Sequence, residues 1–448
     1  MGISIPVVFI KPSEGAIGGP PASEEWFKSI EEKVLGKLKE LYPHIKFNVY
    51  EIRDSIDVSE FLEKESGAIG YVVFILNCIS GLARPIIQRG KPVILIAETY
   101  GGSGDYVLEY PRALAEEYPV IGIATRDISD YKVLSKIKYL EVIYRLKKSK
   151  IVFILSPSER RLASLEYPLS IDIYSVFKTV QASIGLTPIV VDVGVFKEKY
   201  YDKVDLAEAK RVAEKWIAQA ENVVDTSSGD IEKSARLYLA LKMIAKDYGA
   251  NAVAIDCIVL YQEGFLDAWP CLGFTELWYD NIVPVCEADL YSAVLLLMAK
   301  YLVDANGFIV DPAVDELKNE IIYYHCYAPL TLYGSAKTRH SYIITSAHLG
   351  LKKASVHVKL PKDTEITVLG FSPDEKIMTI HTAKVVNIEY SNYACSNKIV
   401  GKINVSSIVR KWPWRTGWHR IVIYGNHRNE FMELARLLKL KVIEEDRF

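Results

Sequence analysis

The sequence predicts an α/β protein: two doubly wound parallel-sheet domains followed by a β-rich C-terminal domain. Three observations lead there. The first 155 residues alternate short, fully apolar runs with amphipathic stretches, the pattern of parallel strands covered on both faces by helices. After a polar stretch at 156–168 the same alternation resumes. Beyond about residue 320 the apolar residues recur at period two, as in antiparallel strands with one buried face. At 448 residues the chain exceeds what one ordinary core accommodates. The expected domains are 1–155, 156–320 and 321–448.

In the first domain, strands are expected at Ile5–Ile10, Lys46–Tyr50, Tyr71–Leu76, Pro92–Ala97, Val120–Ala124 and Ile151–Leu155. Helices are expected between them at Glu24–Leu41, Val58–Glu65, Tyr106–Glu117 and Asp130–Ser149. The second domain offers strands at Thr187–Val193, Ala252–Asp256 and Ile282–Cys286. Its helices are expected at Ile173–Ile184, Leu206–Ala220, Ile231–Tyr248 and Asp289–Leu302. Ser228 or Asp230 stands where a cap is needed for the third of these, and Gly249 where it should end. The third domain reads as strands at Ile321–Tyr327, Ser341–His348, Lys353–Val358, Ile366–Phe371, Ile377–Thr382, Ala383–Glu389, Lys398–Val405 and Trp418–Tyr424. A closing amphipathic helix is expected at Asn429–Leu438.

Composition narrows the function. Half the residues are apolar and a quarter charged, the balance of a globular chain. The net charge of −2 and a pI near 6.5 leave no basic footprint for nucleic acid. No apolar run approaches the ~18 residues of a membrane span. The N-terminal stretch MGISIPVVFI lacks a basic region before its apolar run, so the cytoplasm is the expected location. Cysteines at 78, 257, 271, 286, 326 and 395 show no CxxC spacing. They form neither a disulfide framework nor a zinc ribbon and are expected as buried apolar residues.

In open parallel sheets ligands collect at the carboxyl ends of strands. The residues just beyond such ends in the second domain are Asp256 and Cys257, then Glu287 and Asp289. Glu287-Ala288-Asp289 sets two carboxylates two residues apart at a helix entrance. Such a pair either shares a proton or a cation, or consists of an ordinary helix cap beside a solvated side chain. Gly101-Gly102-Ser103-Gly104 follows a strand and reads as a flexible turn before a phosphate cradle, since it lacks the P-loop lysine. Adjacent strand residues face opposite ways, so His325 and Cys326 do not make a nucleophile pair. Trp412, Trp414 and Trp418 are expected in the core, with stacking on a sugar as the alternative.

Several segments occur in a recognisable order. They are GANAVAIDC (249–257), PCL (270–272), CEAD (286–289), GFIVDP (307–312), HCYAP (325–329) and GWHRIVIYG (417–425). This succession resembles the L-fucose/L-arabinose isomerase family, in particular a shorter L-fucose isomerase-related branch. The resemblance covers roughly residues 170–448. It implies an aldose–ketose isomerase working through an ene-diol on a pentose, a 6-deoxyhexose or a related polyol. Asp289 is then the expected metal ligand and proton carrier, with Glu287 as catalytic and metal-binding partner and His419 as the metal histidine. The cation implied is Mn²⁺, or Mg²⁺ or Co²⁺. A further acid expected upstream falls in the loop holding Glu263 and Asp267. Asp256, His325 and Trp418 are the expected substrate contacts. The family also implies a homo-oligomer, trimer or hexamer. An alternative is a non-isomerising carbohydrate-binding or carbohydrate-modifying relative with a degenerate metal site.

Overall fold

A computed structural model describes residues 2–11, 23–78, 80–156, 173–336, 338–347, 353–391 and 393–447. The polar stretch expected at 156–168 lies outside them beyond Ser156. The chain divides into two compact units: Met1–Arg145 with Asn429–Lys441, and Leu146–Arg428 with Val442–Phe448.

The first unit is built on a five-stranded parallel sheet. Its strands are β1 (Ser4–Ile10), β2 (Lys46–Ile52), β3 (Tyr71–Ile75), β4 (Val93–Glu98) and β5 (Val120–Thr125), in the order β2-β1-β3-β4-β5. The runs VVFI, YVVFI and VILIA are buried along their length because helices cover both faces. Helix Glu24–Leu41 starts where the Ser23 hydroxyl accepts from the Trp26 amide, and buries Phe27, Val34 and Leu38. The Gly-rich turn is not open to a phosphate: the Glu98 carboxylate accepts from the amides of Tyr100 (2.8 Å) and Gly101 (2.6 Å). The closing helix forms at Arg428–Leu437, and its Glu433 pairs with Lys136 at 2.6 Å.

Among its described residues the second unit holds three sheets. Strands β6 (Lys150–Leu155), β7 (Thr187–Asp192), β9 (Ala252–Ile255) and β10 (Val283–Cys286) form a parallel sheet in the order β10-β9-β6-β7. This corrects the boundary expected at 155. The run Lys150–Leu155 pairs with β7 and β9 and so opens the second sheet instead of closing the first. A fully apolar parallel strand carries no mark of which sheet it joins. The short β8 (Asn222–Val223) joins β13 (Tyr342–Ser346) and β14 (Ala354–Val358) in a three-stranded sheet.

The remaining strands close into a six-stranded antiparallel barrel. They are β11 (Phe308–Asp315), β12 (Glu320–His325), β15 (Glu365–Ser372), β16 (Ile377–Glu389), β17 (Asn397–Lys402) and β18 (Arg420–Tyr424). The round runs β15-β18-β11-β12-β17-β16 and closes by β16 pairing back onto β15. A last strand, β19 (Lys441–Glu444), lies beside β16. The barrel starts before the boundary expected at 320, which would cut between the neighbours β11 and β12. Pro312 hides β11 in the sequence. It is tolerated because β18 pairs only with Phe308–Val310, so no partner awaits the missing N–H of Pro312 on that side. The strands expected at 377–382 and 383–389 are one, irregular in register between Val385 and Asn387.

Helix Leu290–Val303 packs between the two sheet systems of this unit, touching β9 and β10 on one side and β15 and β18 on the other. Of its 14 residues 12 are buried, as expected of a helix that is apolar all round. Its first turn therefore lies where the parallel sheet meets the barrel. Among the described residues no helix is long and apolar enough to cross a membrane.

Candidate functional site

Strand β10 ends at Cys286, and the chain enters helix Leu290–Val303 through two non-glycine residues in the left-handed region, Glu287 (φ 53°) and Ala288 (φ 47°). Each costs on the order of 1 kcal/mol in an L-residue. The turn is held by the Ala288 amide donating to Ile255 O and the Asp289 amide to Cys286 O, both 3.1 Å. Backbone strain of this kind at a strand end turns Glu287 and Asp289 together toward the barrel.

Asp289 meets two demands at once. Its Oδ1 accepts from the amides of Tyr291 (3.0 Å) and Ser292 (3.2 Å), capping the helix. Its Oδ2 accepts from Ser292 Oγ (2.5 Å) and lies 3.0 Å from His419 Nδ1. The cap and the carboxylate–imidazole contact are properties of one side chain. On the far side of the ring, His419 Nε2 faces Asp311 Oδ1 at 3.2 Å and Glu287 Oε2 at 3.5 Å. Asp311 comes from β11, and His419 immediately precedes β18, its antiparallel neighbour. His325, at the end of β12, places its Nε2 3.7 Å from Glu287 Oε1. That imidazole is buried, and among the described residues neither of its nitrogens has a hydrogen-bond partner.

Three carboxylates around one buried imidazole dictate its charge. Burial alone would depress the basicity of His419, but Glu287, Asp289 and Asp311 outweigh it and hold the ring well above the usual histidine range. Glu287 is pushed above the usual carboxylate range by burial, an effect that His419 and His325 only partly offset. Burial would also raise Asp289, yet its bonds to His419 and Ser292 keep it below the usual value.

The donor set suits a hard divalent cation. Ligand atoms of Asp311, His325 and His419 lie within 4.8 Å of one another, as do those of Cys286, Glu287 and His325. Carboxylate oxygens and imidazole are what Mn²⁺ and its neighbours take. The buried, unbonded nitrogens of His325 fit the same purpose, since a group in that state is costly unless something completes it.

Glu287, Asp289, His325 and His419, expected from separate stretches of sequence, thus lie in one cluster. Asp289 reaches His419 at Nδ1, on the opposite side of the ring from Nε2. The acids facing Nε2 are Glu287 and Asp311, whereas Glu263 and Asp267 of the loop are not among its ion-pair partners. Both of those are exposed, and Asp267 binds the Tyr201 hydroxyl (2.7 Å) and Lys233 (3.3 Å). Asp256 is buried at the end of β9, at the entrance to helix Cys257–Gln262. Trp418 is half exposed. Its indole N–H donates to Pro312 O (3.2 Å), and its ring stands edge-on to Tyr324 at 6.3 Å. With Pro312, Val314, Val409 and Trp412 it lines a shallow cavity of about 180 Å³.

Sequence reasoning missed Asp311 and Tyr324. The signal for Asp311 was an acid interrupting the apolar strand Phe308–Val314. Tyr324 is the cross-strand partner of Asp311, and its phenol is pushed up to about 12 by burial and then by Asp311. All six cysteines are free and five are buried, with Cys326 Sγ 3.3 Å from Cys395 Sγ.

No family model matches the chain. It is 24% identical over 255 residues to the sulfoquinovose isomerase of Clostridium sp. (strain MSTE9), covering 54% of each protein. It is 23% identical over 258 residues to the sulfoquinovose isomerases of Priestia aryabhattai and Priestia megaterium (strain ATCC 12872 / QMB1551). Those matches cover 53% of this chain and 56% of each relative. The chain therefore spans about half the length of the curated relatives it matches. The similarity is distant, and the proteins at its other end are named as sugar isomerases.

Proposed function

We propose that this chain is a divalent-metal-dependent aldose–ketose isomerase acting on a small sugar. The observation that carries the reading is the buried meeting of Glu287, Asp311 and the Nε2 face of His419 at a strand end, with Asp289 holding the opposite nitrogen. The distant likeness to sulfoquinovose isomerases supports it. So does the position of Asp311, an acid facing His419 Nε2 where a further metal ligand would be needed.

Glu287, Asp311 and His419 Nε2 would hold the cation, with His325 in reach; Mn²⁺ fits, and Mg²⁺ or Co²⁺ are alternatives. When bound, it would act as a Lewis acid on two neighbouring substrate oxygens and stabilise the oxyanion of an ene-diol route. The protein's own groups do the rest. Glu287, a carboxylate at the strand end between the His419 and His325 imidazoles, is suited to carry the proton between adjacent carbons. Asp289 keeps the His419 ring in the tautomer that leaves Nε2 unprotonated. Tyr324, beside Asp311, and His325 are suited to hold substrate hydroxyls. Candidate substrates are a pentose, a 6-deoxyhexose, a related polyol, and the sugar named for the relatives. A cytoplasmic homo-oligomer, trimer or hexamer, belongs to the same proposal.

The test is to incubate the Mn²⁺-loaded protein in D₂O with sulfoquinovose, L-fucose and L-arabinose, and to follow ketose formation and deuterium entry at C1 of the ketose and C2 of the recovered aldose by NMR. Ketose with deuterium at C1, or aldose with deuterium at C2, supports the ene-diol route. A metal-loaded protein that converts none of them and exchanges no C2 proton would overturn the reading.

A further inference from the structure

We propose that Arg420 is a positioning residue for His419, acting through the backbone from inside the barrel. The inference rests on His419 being a metal ligand, as proposed above. Arg420 is fully buried. Its Nη1 donates to His419 O (3.0 Å) and to Gly417 O (3.3 Å). Its Nη2 donates to Glu445 Oε1 at 3.0 Å, and the Trp412 ring lies 3.5 Å from Cζ. Trp412 Nε1 also donates to Gly417 O, at 3.2 Å. The loop leading to His419 is therefore wrapped around one guanidinium. Gly417 makes this wrapping feasible, since its φ of +70° with ψ of −171° is a conformation open to glycine.

The guanidinium is itself anchored. Glu445 Oε2 lies 2.7 Å from His381 Nδ1, and His381 Nε2 is 2.8 Å from the Tyr323 hydroxyl. Ser407 Oγ donates to Glu445 O at 2.9 Å. Space is reserved as well: a Cβ on Gly370 would come within 2.8 Å of Arg420 Cζ. Apolar replacement of a buried ion pair is often neutral or stabilising, so the pair is weak evidence of a stabilising role. Asp289 fixes the His419 ring at Nδ1 while Arg420 fixes the carbonyl of the same residue. With both ends held, Nε2 points at Glu287 and Asp311.

The test uses the double variant R420M/E445Q, which removes both charges together so that neither is left buried alone. Two quantities are read: the Mn²⁺ dissociation constant, and the ring ¹H–¹⁵N resonances of His419 in metal-free protein. The expected result is a folded protein with displaced His419 resonances and Mn²⁺ affinity lowered about 10- to 100-fold, the range for groups that orient a metal ligand. A folded variant with unchanged resonances and wild-type affinity overturns the proposal. R420K supplies the same readouts if the double variant does not fold, because lysine keeps the positive charge but lacks the second coplanar nitrogen that ties the two carbonyls to Glu445. If wild-type protein binds no Mn²⁺, the metal reading fails by itself. The resonances then decide alone: displacement upholds the role of Arg420 and constancy ends it.

Discussion

Replacing Asp289 by Asn separates the two roles of that side chain. The carboxylate now accepts at both oxygens, two helix amides on Oδ1 and Ser292 Oγ with His419 Nδ1 on Oδ2. Asparagine caps helices as well as aspartate does, so the helix-facing oxygen is retained and folding survives. The amide nitrogen must then face His419 Nδ1. Two donors cannot share that contact, so Nδ1 becomes an acceptor and the ring proton moves to Nε2, where it blocks ligation. Loss of a charge-assisted bond removes about 1.5–3 kcal/mol, which is roughly 10- to 150-fold in affinity at 1.36 kcal/mol per decade. Isothermal titration with Mn²⁺ at fixed pH should show that loss, with a melting temperature within a few degrees of wild type. Wild-type affinity in D289N would refute the reasoning, since it would mean that Nδ1 does not govern the metal face.

Three further outcomes follow from the same geometry. Saturating Mn²⁺ at about 100 times its dissociation constant should stabilise the wild type by about 2.7 kcal/mol; D311N should lose this shift in a thermal melt while folding normally without metal. His419 is held above its unfolded value, so its contribution to the metal-free fold is full below about pH 6.5 and is lost as pH rises through the folded value. Metal-free wild type should therefore lose melting temperature on alkalinisation through this group while H419Q does not, and Mn²⁺ affinity should rise up to about tenfold per pH unit while that proton is displaced. E263A and D267A should leave Mn²⁺ affinity unchanged by titration, D267A destabilising the fold by about 1 kcal/mol in urea melts through loss of its bond to Tyr201.

Much of the fold was legible because burial leaves a plain mark on sequence. Apolar runs such as VVFI and YVVFI became β1 and β3, and helix Glu24–Leu41 formed at its expected bounds. Sheet membership was not legible. Lys150–Leu155 looks like any other parallel strand, and only its pairing with β7 and β9 assigns it. Closure of the barrel depends on β16 meeting β15, a contact that period-two patterning does not specify.

The site was half legible for similar reasons. An E-x-D step at a strand end pointed to the cluster around His419, but spacing cannot say which carboxylate caps the helix and which faces Nε2. The backbone decides that, through two left-handed residues at 287 and 288. Asp311 escaped notice because Pro312 beside it disguised β11, and because a further acid was sought upstream in a loop. The pairing of β11 with β18 brings Asp311 beside His419.

The most direct test is anomalous diffraction at the manganese edge from crystals grown with Mn²⁺. The account predicts one strong peak bonded to Glu287, Asp311 and His419 Nε2, with Asp289 still on Nδ1. A peak on Asp289, or none at His419 in a protein that turns over sugar, would contradict it.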